Sequence, residues 1–358
     1  VPGRIFSFFV LLVLINPIAS AQKVQIGVLG LFHPRQITLE VAEGEAIVIH
    51  AGDSEFVLEE GPRTNIARIE IAGDALLLDF GGHVVHTTEI RAAGRNGRAV
   101  EFILAVQGRV SRHYRGTLTV KAVADVVVPI VTMDLETAVA SVVEAESAPD
   151  APLEALKAQA VVTRSYFTAG KGRHHDFDFC DLTHCQFLRG LANPESVAAI
   201  ATSATRALVI LFDEKPIAAM FTRSCGGHTR TPAELGIPSN AYPYFSIQCD
   251  YCYKHPSRWT RRISEQDAER LLGKGEAGRL AVDRRLGWNA IPSNNFTAQK
   301  GDGMVILKGA GQGHGVGLCQ RGAKAMAEGG AGFREILTHY FPNATLNSLK
   351  VSPEDSRR

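Results

Sequence analysis

Between positions 24 and about 130, apolar residues alternate with polar ones or gather in short runs at 37–41, 46–50, 75–80, 100–106 and 117–120. Gly, Asp, Asn and Pro separate the runs. A period of two with turn formers in between predicts strands, hence a β-rich unit over 22–130. From Asp134 to Ala169 the period lengthens to that of helices. The second half is rich in alanine, and Pro152 suits a helix's first turn, so two helices are expected to meet near Pro149. Beyond Asp181 the pattern is mixed. It predicts a helix after Pro194, strands at 207–212 and 217–221, loops rich in Gly, Pro, Tyr and Cys, and helices near 320–328 and 333–340. The expected fold class is α+β, a β-rich amino-terminal domain (22–130) followed by a mixed α/β domain (131–350) that carries the chemistry. No internal repeat is visible.

Composition narrows the classes. With 45% hydrophobic and 21% charged residues and no low-complexity tract, the chain is built to fold. Its 38 Lys plus Arg against 37 Asp plus Glu leave no net field for a polyanion, so nucleic acid is not an expected partner. Arg4, the apolar run from Ile5 to Ile15 and Ala19-Ser20-Ala21 have the layout of an export signal cleaved after Ala21. The expectation is a mature protein in the periplasm, the cell envelope or the medium. The apolar run is short of the roughly 20 residues of a spanning helix, and no later segment is longer, so no membrane span is expected after cleavage. No glycine-rich phosphate loop sits between a strand and a helix, which argues against ATP or NAD chemistry.

In the first predicted helix, Leu135, Ala138, Val139, Val142 and Val143 form one apolar stripe. Glu146, four residues past Val142, continues it, while Glu144 falls on the opposite face. A carboxyl held against apolar neighbours resists ionisation and can carry a proton near neutral pH, as a general acid must. The stripe alone is equally met by a frayed helix end whose Glu146 bends to water.

Further segments bear on that choice. Tyr114-Arg-Gly-Thr-Leu-Thr-Val, Ser141-Val-Val-Glu-Ala-Glu146-Ser, the helix from Pro152 to Tyr166, Cys180-Asp-Leu-Thr-His-Cys-Gln-Phe-Leu-Arg-Gly190, Ser224-Cys-Gly-Gly-His-Thr229 and Gly313-His-Gly-Val-Gly-Leu-Cys-Gln-Arg-Gly-Ala323 follow one another in this order. Over roughly 110–345 the chain resembles the stage II sporulation protein D family, which includes the amidase enhancer LytB. The resemblance implies peptidoglycan as substrate and lytic transglycosylase activity on glycan strands stripped of stem peptides. Its catalytic glutamate matches Glu146. Such an enzyme needs one carboxyl, which protonates the glycosidic oxygen and then takes the proton of the sugar's own 6-hydroxyl, leaving a 1,6-anhydro-N-acetylmuramic acid end. A hydrolase typically uses two. Asp150, Glu154 and Asp181 also lie in the matched segments, and Asp150 and Glu154 suit caps of the second helix. Two residues depart from the family pattern, Ser147 for a methionine and Gln312 for a tryptophan. The LytB-type members imply the rival reading, a noncatalytic binder that activates a cell-wall amidase; a zinc-stabilised structural partner in an envelope complex is a third.

The glycine-framed loops 224–229 and 309–317 let backbone approach a ligand closely. On the family reading they line a glycan cleft, with His314 orienting Glu146 or donating to the sugar, and Gln320 and Thr229 bonding sugar hydroxyls or acetamido groups. His314 serves equally as a structural residue, and for His228 that is the better reading. Tyr242, Tyr244 and Trp259 read as core residues or sugar stackers, and Arg164 and Gln159 as braces. His174, Cys180, His184 and Cys185 offer two thiolates and two imidazoles in a short segment, the donor set of a closed structural zinc site. Some family members carry zinc in this segment. A Cys180–Cys185 disulfide is the competing reading and leaves the histidines unexplained; His175 is an alternative to His174. Cys225, Cys249, Cys252 and Cys319 fit either two disulfides tying the cleft loops or, through Cys249-x-x-Cys252, a metal or redox site.

Overall fold

The computed structural model describes residues 22–61, 64–236, 242–272, 287–301 and 303–349; the expected export signal at 1–21 lies outside the described residues. Two sheets are built around one long strand, Val110–Val123. Its first half pairs antiparallel with Val100–Val106, from Val110↔Val106 to Gly116↔Val100. That sheet continues through Gln36–Val41, Ile66–Ala72, Ala75–Phe80 and His83–Thr87. The second half pairs with Val126–Asp134 on one side and Glu89–Ala93 on the other, and the latter passes to Ala46–Ala51 and Ser54–Glu59. Gly116 stands at the handover. A Cβ there would lie 2.3 Å from the Thr132 carbonyl oxygen, so only glycine lets the strands close. Alternate residues of both sheets, among them Ile37, Leu39, Ile49, Ile69, Leu78 and Leu104, share one core, which is why the period of two was so plain.

The boundary expected at 130/131 falls inside a strand. Val126–Asp134 is continuous, pairs with Lys23–Gly27, and ends at Asp134, whose carboxylate accepts the Glu136 and Thr137 N–H groups and caps the first helix. That helix, α1 (Leu135–Glu146), is followed by α2 (Leu153–Ala169) and α3 (Val197–Ala204), and residues of all three enter the core of the sheets. The change of period thus marks a change of element on a shared core.

α2 is buried on nearly every side. Leu156, Ala160 and Phe167 face the first core, whereas Ala155, Ala158, Val161 and Val162 face a second. The second core is completed by Leu208–Phe212, α4 (Asp250–Lys254), α6 (Gln320–Glu328) and α7 (Phe333–Tyr340), with α5 (Glu265–Leu272) elsewhere. The strand expected at 217–221 shrinks to Phe221–Thr222, paired in parallel with Leu318–Cys319, while Ile217 and Ala219 still alternate into the second core. A third, smaller core lies under a three-stranded antiparallel sheet in which Met304–Ala310 is central, between Arg258–Ser264 and Phe296–Gly301, and it is covered by α5. Helix and strand are intermixed throughout the second half, in keeping with the α+β class.

Candidate active site

Glu146 is the last residue of α1 and half-buried, as the stripe demands. Its Oε1 accepts the Phe187 N–H at 3.0 Å. Burial raises the pKa of this carboxyl above the usual 4.5, against the opposing pull of the Phe187 N–H and of Arg223 and Arg189. The group can therefore hold a proton where an exposed glutamate has lost it. It opens onto a cavity of about 480 Å³ also lined by His184, Met220, Arg223, Trp288 and His314. Among the described residues, no second carboxylate lines that cavity. Glu144, on the opposite face, is exposed and accepts the Asn193 N–H.

The end of α1 is held from outside. Gln320, at the start of α6, donates through Nε2 to the Glu146 carbonyl at 3.0 Å and to Gln159 Oε1 at 3.1 Å. Ser147 Oγ donates to the same Gln159 oxygen at 3.1 Å. Gln320 was expected to bond sugar; its Nε2 holds the Glu146 backbone, and the residue is not among those lining the cavity. Thr229 also departs from expectation. It is buried, its hydroxyl donates to the Phe245 carbonyl at 3.1 Å and accepts the Ile247 N–H at 2.8 Å, and it does not line the cavity, so it stitches two loops together. His314 does line the cavity. Its Nδ1 accepts the Val316 N–H at 3.1 Å, which leaves the proton of the neutral ring on Nε2. Thr222, unmarked in the sequence, frames the glycine loop by donating to the Gln312 carbonyl at 3.0 Å and accepting the Gly315 N–H at 3.1 Å.

The other carboxylates of the matched segments are engaged elsewhere. Asp150 is exposed and pairs with Lys324 at 3.1 Å, so it does not cap α2; Pro152 occupies that position with no side-chain cap. Glu154 binds Lys157 at 2.6 Å and accepts the Phe333 N–H at 2.9 Å. Asp181, 1% exposed, pairs with Arg112 at 2.9 Å and accepts the Leu29 N–H at 2.8 Å. Tyr242 and Tyr244 are core residues whose hydroxyls reach the Pro342 and Ala218 carbonyls, though both touch the cavity wall. Trp259 donates to Ser293 in the third core. Trp288, which no motif flagged, supplies the cavity with an indole.

His174, Cys180, His184 and Cys185 converge, with one donor atom of each within 4.8 Å of the others. His174 Nε2 lies 3.4 Å from Cys185 Sγ, and His184 Nδ1 lies 3.5 Å from Cys185 Sγ and 3.8 Å from Cys180 Sγ. A tetrahedral zinc with the usual bond lengths sets nitrogen and sulfur about 3.5 Å apart, so the donors fit. Both thiols are free. His175, its side chain 97% exposed, turns away toward Asp176, which leaves His174 as the converging imidazole. Cys180 is anchored by the pairing of Phe179–Cys180 with Lys23–Gly27, and Cys185 lies two residues before the Phe187 amide that holds Glu146. Cys225, Cys249, Cys252 and Cys319 are likewise free thiols.

A mixed α+β scaffold presenting, among the described residues, one carboxyl in a cavity walled by the 218–223 and 312–314 segments is the class of protein that fold and site define. Residues 125–212, which carry Glu146 and the His174 cluster, match the family model described as stage II sporulation protein. An uncharacterised protein of Brachyspira hyodysenteriae is 30% identical over 262 residues, covering 64% of this chain and 70% of that protein. The stage II sporulation protein D of Bacillus amyloliquefaciens is 25% identical over 176 residues, 41% of this chain and 50% of its own. The amidase enhancer of Bacillus subtilis is 40% identical over 63 residues, 18% of this chain and 9% of its own. The chain belongs to the stage II sporulation protein D family, to which the amidase enhancer is also related.

Proposed function

We propose that the protein acts on the cell wall outside the cytoplasm, as a lytic transglycosylase that cuts peptidoglycan glycan strands lacking stem peptides. The observation that carries this reading is Glu146, the one carboxylate lining the cavity among the described residues and one whose hold on its proton burial strengthens. Glu146 gives its proton to the glycosidic oxygen as the bond from that oxygen to C1 breaks. The carboxylate so formed, with Arg223 and Arg189 nearby in charge, then takes the proton of the sugar's 6-hydroxyl, whose oxygen closes on C1. No water is consumed, and no second carboxylate is required to activate one. The Phe187 N–H orients the carboxyl, and the Gln320–Gln159–Ser147 bracket fixes the helix end that carries it. His174, Cys180, His184 and Cys185 would hold a structural zinc ion; their four donors would leave no position for water and would tie down the segment leading to Phe187.

The test is digestion of denuded glycan strands followed by mass spectrometry of the products. The wild type should release fragments ending in 1,6-anhydro-N-acetylmuramic acid, lighter by one water than hydrolytic products. Glu146→Gln should bind the strands yet cut them slower by about 10²–10⁴-fold or more, with Glu144→Gln as the control. Reducing ends would mean hydrolysis with a second carboxylate. A wild type that cuts nothing, but raises the turnover of an added amidase equally well as Glu146→Gln, would replace the enzyme by a noncatalytic activator.

A further inference from the structure

Four cysteines meet inside the second core, apart from the Glu146 cavity. Cys225 is 3% exposed, Cys249 1%, and Cys252 and Cys319 not at all. Their sulfurs all lie within 4.8 Å of one another, and Cys252 Sγ is 3.6 Å from Cys319 Sγ. Sulfurs bound tetrahedrally at a zinc–sulfur distance of about 2.3 Å stand about 3.8 Å apart, whereas a disulfide needs about 2.05 Å. The observed spacing is that of ligands around an ion.

The surroundings are those of thiolates. The Cys225 N–H donates to Cys319 Sγ at 3.4 Å, and the Tyr340 hydroxyl donates to Cys249 Sγ at 3.4 Å. Ser224 Oγ lies 3.6 Å from Cys252 Sγ. Donors aimed at ligand sulfurs are what a metal centre recruits around itself, while free thiols packed as small apolar groups call for none. The ligands arrive from three places: the loop after Thr222, the start of α4, and the residue before α6. Gly322 lets α6 press against them, since a Cβ there would fall 2.5 Å from Cys249 Sγ and 2.0 Å from Tyr340 Oη.

We propose that Cys225, Cys249, Cys252 and Cys319 bind a second zinc ion in a closed tetrathiolate site, chemically distinct from the His174 cluster. Thiolates alone select a soft, tetrahedral ion, and full burial leaves no place for water, so the ion is structural. It joins Arg223, on the cavity wall, to Gln320, which holds the Glu146 carbonyl. The site therefore fixes the geometry of the cavity from behind. The inference stands whether or not Glu146 cuts glycan.

Protein purified without added metal or reductant is to be examined by metal analysis, by peptide mapping of its thiols and, after cobalt exchange, by absorption spectroscopy. The wild type should carry about two zinc ions per chain. The Cys180→Ser, Cys185→Ser variant should keep one, and cobalt exchanged into it should show the strong thiolate charge-transfer band of four sulfur ligands. The Cys225→Ser, Cys319→Ser variant should keep only the other ion; if it does not fold, the cobalt spectrum of the first variant still reads the site. A single zinc in the wild type that survives in the Cys180→Ser, Cys185→Ser variant also supports the tetrathiolate and counts against the His174 site. A variant of that pair with no zinc, a disulfide joining any of the four cysteines, or iron in place of zinc overturns the proposal.

Discussion

Arg164 offers the sharpest test of how the scaffold holds α1 in place. It lies in α2 with no exposed surface, yet it is charged. Nε and Nη2 fork onto the two oxygens of Glu136 at 2.8 and 2.7 Å, and the remaining donors reach the Leu208, Thr202 and Ala160 carbonyls at 3.1, 3.3 and 3.5 Å. All five N–H groups of the guanidinium are thus used. Glu136 sits in the first turn of α1, the helix that ends at Glu146, so this fork ties three helices and a strand together. Arg164→Met would leave the Glu136 carboxylate, only 16% exposed, without its counter-charge. Losing one member of such a buried pair costs about 3–5 kcal/mol, and the Leu208 and Thr202 carbonyls add about 1 kcal/mol each if no water replaces the donor. With a urea dependence of about 3 kcal/mol per molar, the midpoint followed by circular dichroism should fall by at least about 1 M. Arg164→Lys keeps the charge but not the fork and should fall between. Arg164→Met combined with Glu136→Met removes the orphaned charge, so the double variant should be more stable than the sum of the single losses predicts. A drop of less than about 1 kcal/mol for Arg164→Met, or strict additivity in the cycle, would refute the reasoning.

Three further outcomes are expected. Because burial lifts Glu146 above 4.5, the folded protein retains a proton that the unfolded chain releases, and stability falls as pH rises from that value through the folded pKa. Glu146→Gln should therefore be more stable than the wild type at pH 7, with the gain vanishing below about pH 4; a gain that is absent, or that persists in acid, would show the carboxyl to be ordinary. Zinc removal by a strong chelator should lower the melting temperature, restorably by added zinc, and Cys185→Ser should show a smaller chelator response than the wild type; melts indifferent to chelator would count against bound metal. Gly317→Ala places a Cβ 2.1 Å from the Met220 carbonyl oxygen at a φ of 76°, whereas Gly330→Ala, at 95°, meets nothing within 4 Å. Urea titration should find the first change clearly costlier than the second, by more than about 1 kcal/mol, and equal losses would mean that the 220–222 wall yields freely.

Features that depend on neighbours in sequence were legible. The α1 stripe placed Glu146 on the buried face because one helix face is decided within twelve residues, and His174, Cys180, His184 and Cys185 lie in one short segment whose donor atoms the structure brings within 4.8 Å of one another. What was not legible depended on distant partners. Thr229 and Gln320 are polar residues beside glycines, and nothing local reveals that one is bound to 245–247 and the other to a carbonyl 174 positions away. Asp150 has the chemistry of a cap, but Lys324 claims it. The small sheet of the third core escaped notice because strands such as Arg258–Ser264 are mostly exposed and carry too few apolar residues to set a period. The four buried cysteines were undecidable for the same reason, since their convergence is made by three separated stretches of chain.

The parallel pairing of Phe221–Thr222 with Leu318–Cys319 has a consequence in time. The bonds that raise the cavity wall, Thr222 to Gln312 and Gly315 and Cys225 to Cys319, join residues 90 to 94 positions apart, and Gln320 reaches back 174. Contacts of such separation are slow to close, whereas the α1–α2 pair is local and forms early. On the ribosome, Glu146 is made long before the stretch of chain that will enclose it. The carboxyl is made first and the cavity wall last, so a nascent or truncated chain stopping short of α6 holds the carboxyl without the wall that encloses it.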